Sequence, residues 1–147
     1  MTISELIDAV AQAVGRKEGF FDKKRMPTVA QRLHNPGNLS HWKDRHGNAF
    51  PEVNGYVQFP DLDTGWRALK AQCKINILKR GLTFLEFFQG KPGVYKGFCP
   101  RNADKDPDLR RNEAVEYAQF VLRALAPDRT DLSIHSSIAS LLEPCGG

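Results

Sequence analysis

The sequence predicts a mainly helical α+β domain with one small loop-and-hairpin insert. Three observations predict it. Apolar residues recur at spacings of three and four near the start, middle and end of the chain, the period of a helix with one buried face. Between the first two such stretches, residues 22–60 lose that period and are rich in Pro, Gly, Asn and His. With 147 residues, 41% of them hydrophobic, the chain is long enough for one core and too apolar to stay disordered. A single domain over 1–147 is expected, with 142–147 as a loose tail.

The elements follow in order. Ile3, Leu6, Ile7, Val10 and Val14 share one helical face, with Thr2 or Ser4 as N-cap. Gly19 suits the C-cap, which puts Glu18 at the last turn. "NPGN", Asn35 to Asn38, reads as a turn in which Pro36 presets φ and Gly37 supplies a positive φ. In "GNAFPEVNGYVQF" two short extended runs flank Asn54-Gly55, a favoured two-residue hairpin turn. Strand alternation then gives Tyr56 and Gln58 one face and sends Val57 and Phe59 to the core.

Asp61 or Asp63 caps a long helix that turns Leu62, Trp66, Leu69, Cys73 and Ile77 inward and stops at Gly81. Thr83 and Glu86 form a capping box for a short helix through Phe88. "GKPGVYKGFCP" is a loop. A helix over about 112–125 turns Val115, Ala118, Val121, Leu122 and Leu125 inward and ends before Pro127; a last helix over 133–142 uses Ile134, Ile138 and Leu141.

Charge and cysteines bound the function. A net charge of +4 and a pI near 9.1 favour an anionic partner, whether nucleic acid, a membrane surface or an acidic polymer such as a cell wall. No apolar run approaches the roughly 18 residues of a membrane span. The start "MTISELIDAV" is acidic and amphipathic and lacks the basic region of a secretory signal, so a substrate outside the cytoplasm would need another route of delivery. Cys73, Cys99 and Cys145 are too few and too scattered for a disulfide framework or a paired-cysteine metal site, and are read as reduced thiols, with Cys73 in the core.

Three features carry chemistry: Glu18 inside "GRKEGFF", the "NPGNL" turn, and "GYVQFPD" leading into a helix. In order and spacing they resemble the lysozyme-like superfamily, in its soluble lytic transglycosylase and goose-type lysozyme branch, and most of all small phage-type muramidase-like domains with an N-P-G-N turn. In those families a catalytic Glu ends a helix, a turn follows, and a G-x-x-Q-x-x-P element leads into the next helix. Gly55-Tyr56-Val57-Gln58-Phe59-Pro60 is a near match, and the resemblance covers roughly residues 5 to 125.

The resemblance implies a lysozyme-like fold with a glycan cleft between the 20–60 insert and the helical lobe. It implies cleavage of the β-1,4 bond between N-acetylmuramic acid and N-acetylglucosamine, with peptidoglycan strands as partner, no cofactor, no metal, no nucleic acid, and a monomer delivered by a phage or secretion apparatus. Glu18 is the expected general acid. That role needs a carboxyl still protonated near neutral pH, which burial against aromatic walls such as Phe20 and Phe21 favours. Arg16 and Lys17 oppose it unless they face solvent, and neighbours on a helix point about 100° apart.

Gln58, whose amide both donates and accepts, is an expected sugar contact, with Tyr56 on its face. Trp42 is read either as a stacking ring or as a half-buried loop residue, and Tyr117 as a ring off the core stripe of its helix that lines the cleft. Asn35, Gly37 and Asn38 are read as site scaffold, with Leu39 in the core.

A second carboxylate has no evident place among Asp44, Glu52, Asp61 and Asp63, since the two aspartates before the helix are better read as caps. Retaining glycosidases pair two carboxylates at roughly 5 Å and inverting ones at roughly 6.5–9.5 Å, whereas lytic transglycosylases manage with one Glu as acid and then base. Hydrolase and transglycosylase therefore both stay open. Two further readings also stay open: a glycan-gripping wall-binding or virion structural domain without catalysis, and a metal-dependent nuclease built on His34, His41, His46 and Asp44, which match no ligand spacing.

Overall fold

A computed structural model describes residues 1–23, 26–98 and 106–142. The chain is mainly helical with one small two-stranded antiparallel sheet, as the periodicity predicts. It falls into two compact units, one of Met1–Val10 with Lys74–Gly147 and one of Ala11–Cys73. No helix among the described residues is long and apolar enough to cross a membrane.

Helix α1, Ile3–Lys17, starts on Thr2, whose hydroxyl accepts from the Glu5 N–H at 3.1 Å and donates to the Glu5 carboxylate at 3.0 Å. Leu6, Ile7, Val10 and Val14 are buried as predicted, joined by Ala11 and Ala13, while Ile3 in the first turn is exposed. The helix ends where glycine was expected to end it, with Gly19 at φ +78°.

In the Ala11–Cys73 unit, a single helical turn not expected from the sequence, α2 (Val29–Arg32), follows the first loop. It is too short to show a period, but Thr28 and Gln31 close a full capping box around its start. Strands β1 (Glu52–Val53) and β2 (Tyr56–Val57) pair in the register Glu52↔Val57 and Val53↔Tyr56. Asn54 and Gly55 between them both take positive φ, the geometry that matches strand twist in a two-residue hairpin. Val57 and Phe59 are buried, Tyr56 is half-buried and Gln58 is exposed, so the predicted alternation holds.

Helix α3, Leu62–Lys74, is capped by Asp61, which accepts from the Thr64 N–H and hydroxyl at 2.7 Å each. Asp63 pairs instead with Arg67. The buried stripe is Gly65, Ala68, Leu69 and Cys73; Leu62 is exposed and Trp66 only half-buried, which corrects the expected stripe by one step around the helix. Burial pushes the Cys73 thiol up to about 12, so it stays protonated and unreactive. Cys99 and Cys145 lie outside the described residues, as do residues 143–147 of the expected tail.

In the other unit, a π-helical segment, Ile75–Lys79, leads to Gly81 at φ +62°. Helix α4 (Phe84–Gln89) has the predicted Thr83–Glu86 capping box. Helix α5 spans Pro107–Leu125, five residues longer at its start than predicted. Asp106 accepts from the N–H groups of Asp108 and Leu109, with Pro107 in the first turn, where its missing N–H costs nothing. The core between α4 and α5 is aromatic, with Phe84, Phe87 and Phe88 buried against Ala114, Tyr117, Ala118 and Val121. Val115, Leu122 and Leu125 are half-buried rather than central.

The predicted last helix is instead a short 3₁₀ turn, Ile138–Leu142. Residues 134–138 use their backbone against 82–85: Phe84 and Leu85 donate to the Ser136 and Ile134 carbonyls, and Ile138 donates to Leu82. Groups spent on that pairing are not available for a helix.

Candidate functional site

Glu18 is the residue on which α1 stops. The Phe20 N–H donates to the Gly15 carbonyl at 2.9 Å and the Gly19 N–H to Arg16 at 3.1 Å, a Schellman arrangement with Glu18 at the cap and Gly19 in the left-handed position. The chain after the cap is fixed from one side. The Thr28 hydroxyl donates to the Gly19 carbonyl at 3.1 Å, and the Gln31 amide donates to both the Phe20 and Asp22 carbonyls at 2.8 Å. Neither residue was singled out from the sequence, although Thr28-x-x-Gln31 is a legible capping signal.

Glu18 is half-buried, and its Oε2 accepts from the Asn38 side-chain amide at 3.0 Å. Asn38 reaches it from the "NPGN" turn, closed by Asn38 N–H donating to the Asn35 carbonyl at 3.1 Å. Asn35 is fully buried. Its amide donates to the Leu39 and Val57 carbonyls and its oxygen accepts from the Leu39 N–H, all at 2.9 Å, so one side chain ties the turn to β2. The scaffold reading of Asn35 is what the geometry has, and Leu39 is buried as expected.

Gly37 is scaffold for a different reason than predicted. The left-handed residue is Asn38, at φ +48°, not Gly37. Gly37 is needed because a Cβ there would sit 2.6 Å from Leu69 Cδ1. Gly65 of α3 likewise faces the His34 carbonyl, into which a Cβ would run. Two glycines thus let α3 press directly on the back of the turn, and the turn presents Asn38 to Glu18. Asn38 Oδ1 is buried without a hydrogen-bond partner among the described residues, a state that costs about 1–3 kcal/mol.

Three rings stand at the same helix end. Phe20 meets Phe21 edge-on at 5.3 Å and Trp66 edge-on at 5.4 Å, and Phe21 lies 5.9 Å from Trp66 with the planes tilted by 31°. Phe20 and Trp66 are half-buried and Phe21 is 46% exposed.

The other sequence candidates divide. Tyr56 and Gln58 lie on and just after β2, whose Val57 is bonded through its carbonyl to Asn35 and through its N–H to Leu39 at 2.8 Å. They therefore hang from the same clamp as Asn38. Trp42 is half-buried in the loop before the hairpin. Tyr117 corrects the sequence reading: it belongs to the other unit, is 6% exposed, and stacks on Phe88 at 4.0 Å. Its helix turns Ala114, Tyr117, Ala118 and Val121 inward, which puts the ring on the core stripe rather than off it.

The remaining carboxylates are occupied. Hydrogen bonds from the Asn48 and His46 backbone hold Asp44 below its ordinary value, and the Thr64 N–H and hydroxyl do the same for Asp61. Both thus stay ionised and are poor proton donors. Glu52 pairs with His41 at 3.0 Å, and His46 accepts from Arg45. Among the described residues no three His, Cys, Asp or Glu groups gather closely enough to hold a metal ion. Comparison with protein-family models, with curated proteins and with solved structures finds no significant match to this chain.

Proposed function

We propose that the chain cleaves the β-1,4 bond between N-acetylmuramic acid and N-acetylglucosamine in peptidoglycan, with Glu18 as the general acid. One observation carries the reading: a half-buried glutamate at a glycine-stopped helix end, its carboxyl oriented by the Asn38 amide. Such an acid gives its proton to the glycosidic oxygen as the bond to C1 breaks. The carboxylate left behind then takes a proton. In a transglycosylase it comes from the C6 hydroxyl, whose oxygen closes onto C1 as an anhydro ring. In a hydrolase a water attacks C1 and a base removes its proton.

Asp44 and Asp61 are already bonded as turn and cap, which favours the single-carboxylate route. Tyr56, Gln58 and Trp42 are the proposed sugar contacts, and the buried Tyr117 is not among them. The positive net charge suits a wall polymer bearing carboxylates and phosphates. Mass spectrometry of digested murein tests the reading. Anhydro ends identify a transglycosylase and reducing ends a hydrolase; no cleavage, or cleavage unchanged by Glu18→Gln, rejects it.

A further inference from the structure

We propose that Phe21, seated on Trp66 and Phe20, is a stacking platform for the apolar face of a glycan pyranose ring, one helical turn from Glu18. The inference rests on the glycan reading above and assigns it a subsite. Three observations carry it.

The first is that an exposed ring is held still. Phe21 is 46% exposed, yet the carbonyls on both sides of it, Phe20 and Asp22, accept from the single Gln31 amide at 2.8 Å. A large apolar side chain in water gains nothing from a clamped backbone. A preorganised binding surface does, because the ordering cost is met before the ligand arrives.

The second is the floor beneath the rings. A Cβ on Gly15 would lie 3.0 Å from Trp66 Cη2 and 3.2 Å from Phe21 Cε2, so both rings reach across the helix at that point. Glycine inside a helix costs about 0.5–1 kcal/mol relative to alanine. The close seating of the two rings offsets that cost.

The third is register. Gly15 and Glu18 are three residues apart on α1, hence neighbours on one face with Cβ positions about 5–6 Å apart. A ring stacked on Phe21 therefore lies next to the Glu18 carboxyl, at about the spacing of one sugar. Phenylalanine has no hydrogen-bonding group, so it reads the C–H face and leaves the hydroxyls to other contacts. A β-linked chain with equatorial substituents offers such a face on every residue.

The test is calorimetric titration of the Glu18→Gln protein with chitohexaose, which cannot be turned over there. Binding should weaken roughly tenfold in Glu18→Gln/Phe21→Ala and return with Glu18→Gln/Phe21→Tyr, all three melting together. Unchanged affinity in the Phe21→Ala protein, or no binding by its parent at millimolar ligand, overturns the platform. Phe21-dependent binding with no murein cleavage by the unaltered protein keeps the platform and removes the catalytic reading. Murein cleavage with Phe21-independent chitohexaose binding does the reverse.

Discussion

Around Glu18, in the Ala11–Cys73 unit, the chain is held by single polar side chains bonded to backbone. Asn35 ties its turn to β2, Gln31 and Thr28 tie the loop after α1, and Asn38 holds the carboxylate. In the unit that contains α4 and α5, the chain is held by rings. Phe88 stacks on Tyr117 at 4.0 Å and meets Phe87 at 4.9 Å, with Phe84 fully buried beside them. Directional bonds fix where a group points, at about 0.5–1.5 kcal/mol each. Ring packing is non-directional and larger. The first suits a site whose geometry matters, the second a core whose job is to keep the chain folded.

The comparison predicts a graded response. The largest loss of stability belongs to the aromatic core: Phe88→Ala should cost about 3–5 kcal/mol, read as a large drop in denaturation midpoint. A cost below about 1 kcal/mol would mean that rings do not dominate that unit. Asn35→Ala removes three hydrogen bonds and leaves the buried Leu39 N–H without its acceptor. It should cost about 2–3 kcal/mol by chemical denaturation, with faster hydrogen exchange at Leu39 and Val57. The smallest effect on stability belongs to Asn38→Gly. Glycine accepts the left-handed backbone there, and the buried unpartnered oxygen goes with the amide, so the midpoint should move by less than about 1 kcal/mol. Murein cleavage should nonetheless fall roughly tenfold as Glu18 loses its orienting bond. Full activity in that variant would dissolve the contrast between fixing a position and holding a fold.

Local signals account for what was legible in the sequence. The period of α1 and its Gly19 stop, the Asn54-Gly55 hairpin and the Thr83–Glu86 box all depend on residues close along the chain, and each is found where it was expected. The position of Glu18 follows from the same kind of signal. What escaped depends on partners far along the chain. Residues 134–138 pair with 82–85, and no helical spacing reveals that. Gly37 looked like a turn glycine, but its cause is Leu69, thirty-two positions later. Tyr117 was placed off the core stripe because Val115, Leu122 and Leu125 were given the centre; the stripe through Ala114 and Val121 instead carries its ring onto Phe88. The Asn38–Glu18 bond spans twenty residues and is likewise invisible in the sequence.

The account turns on the Glu18 carboxyl as proton donor, and its replacement by the amide that most nearly keeps its shape tests this directly. Purified murein is digested with the unaltered protein and with Glu18→Gln, and soluble muropeptides are measured at matched melting temperature. Loss of release by a factor of about 10²–10⁴ in the variant is the expected result. Equal release by the two proteins, or none from the unaltered one, would contradict it.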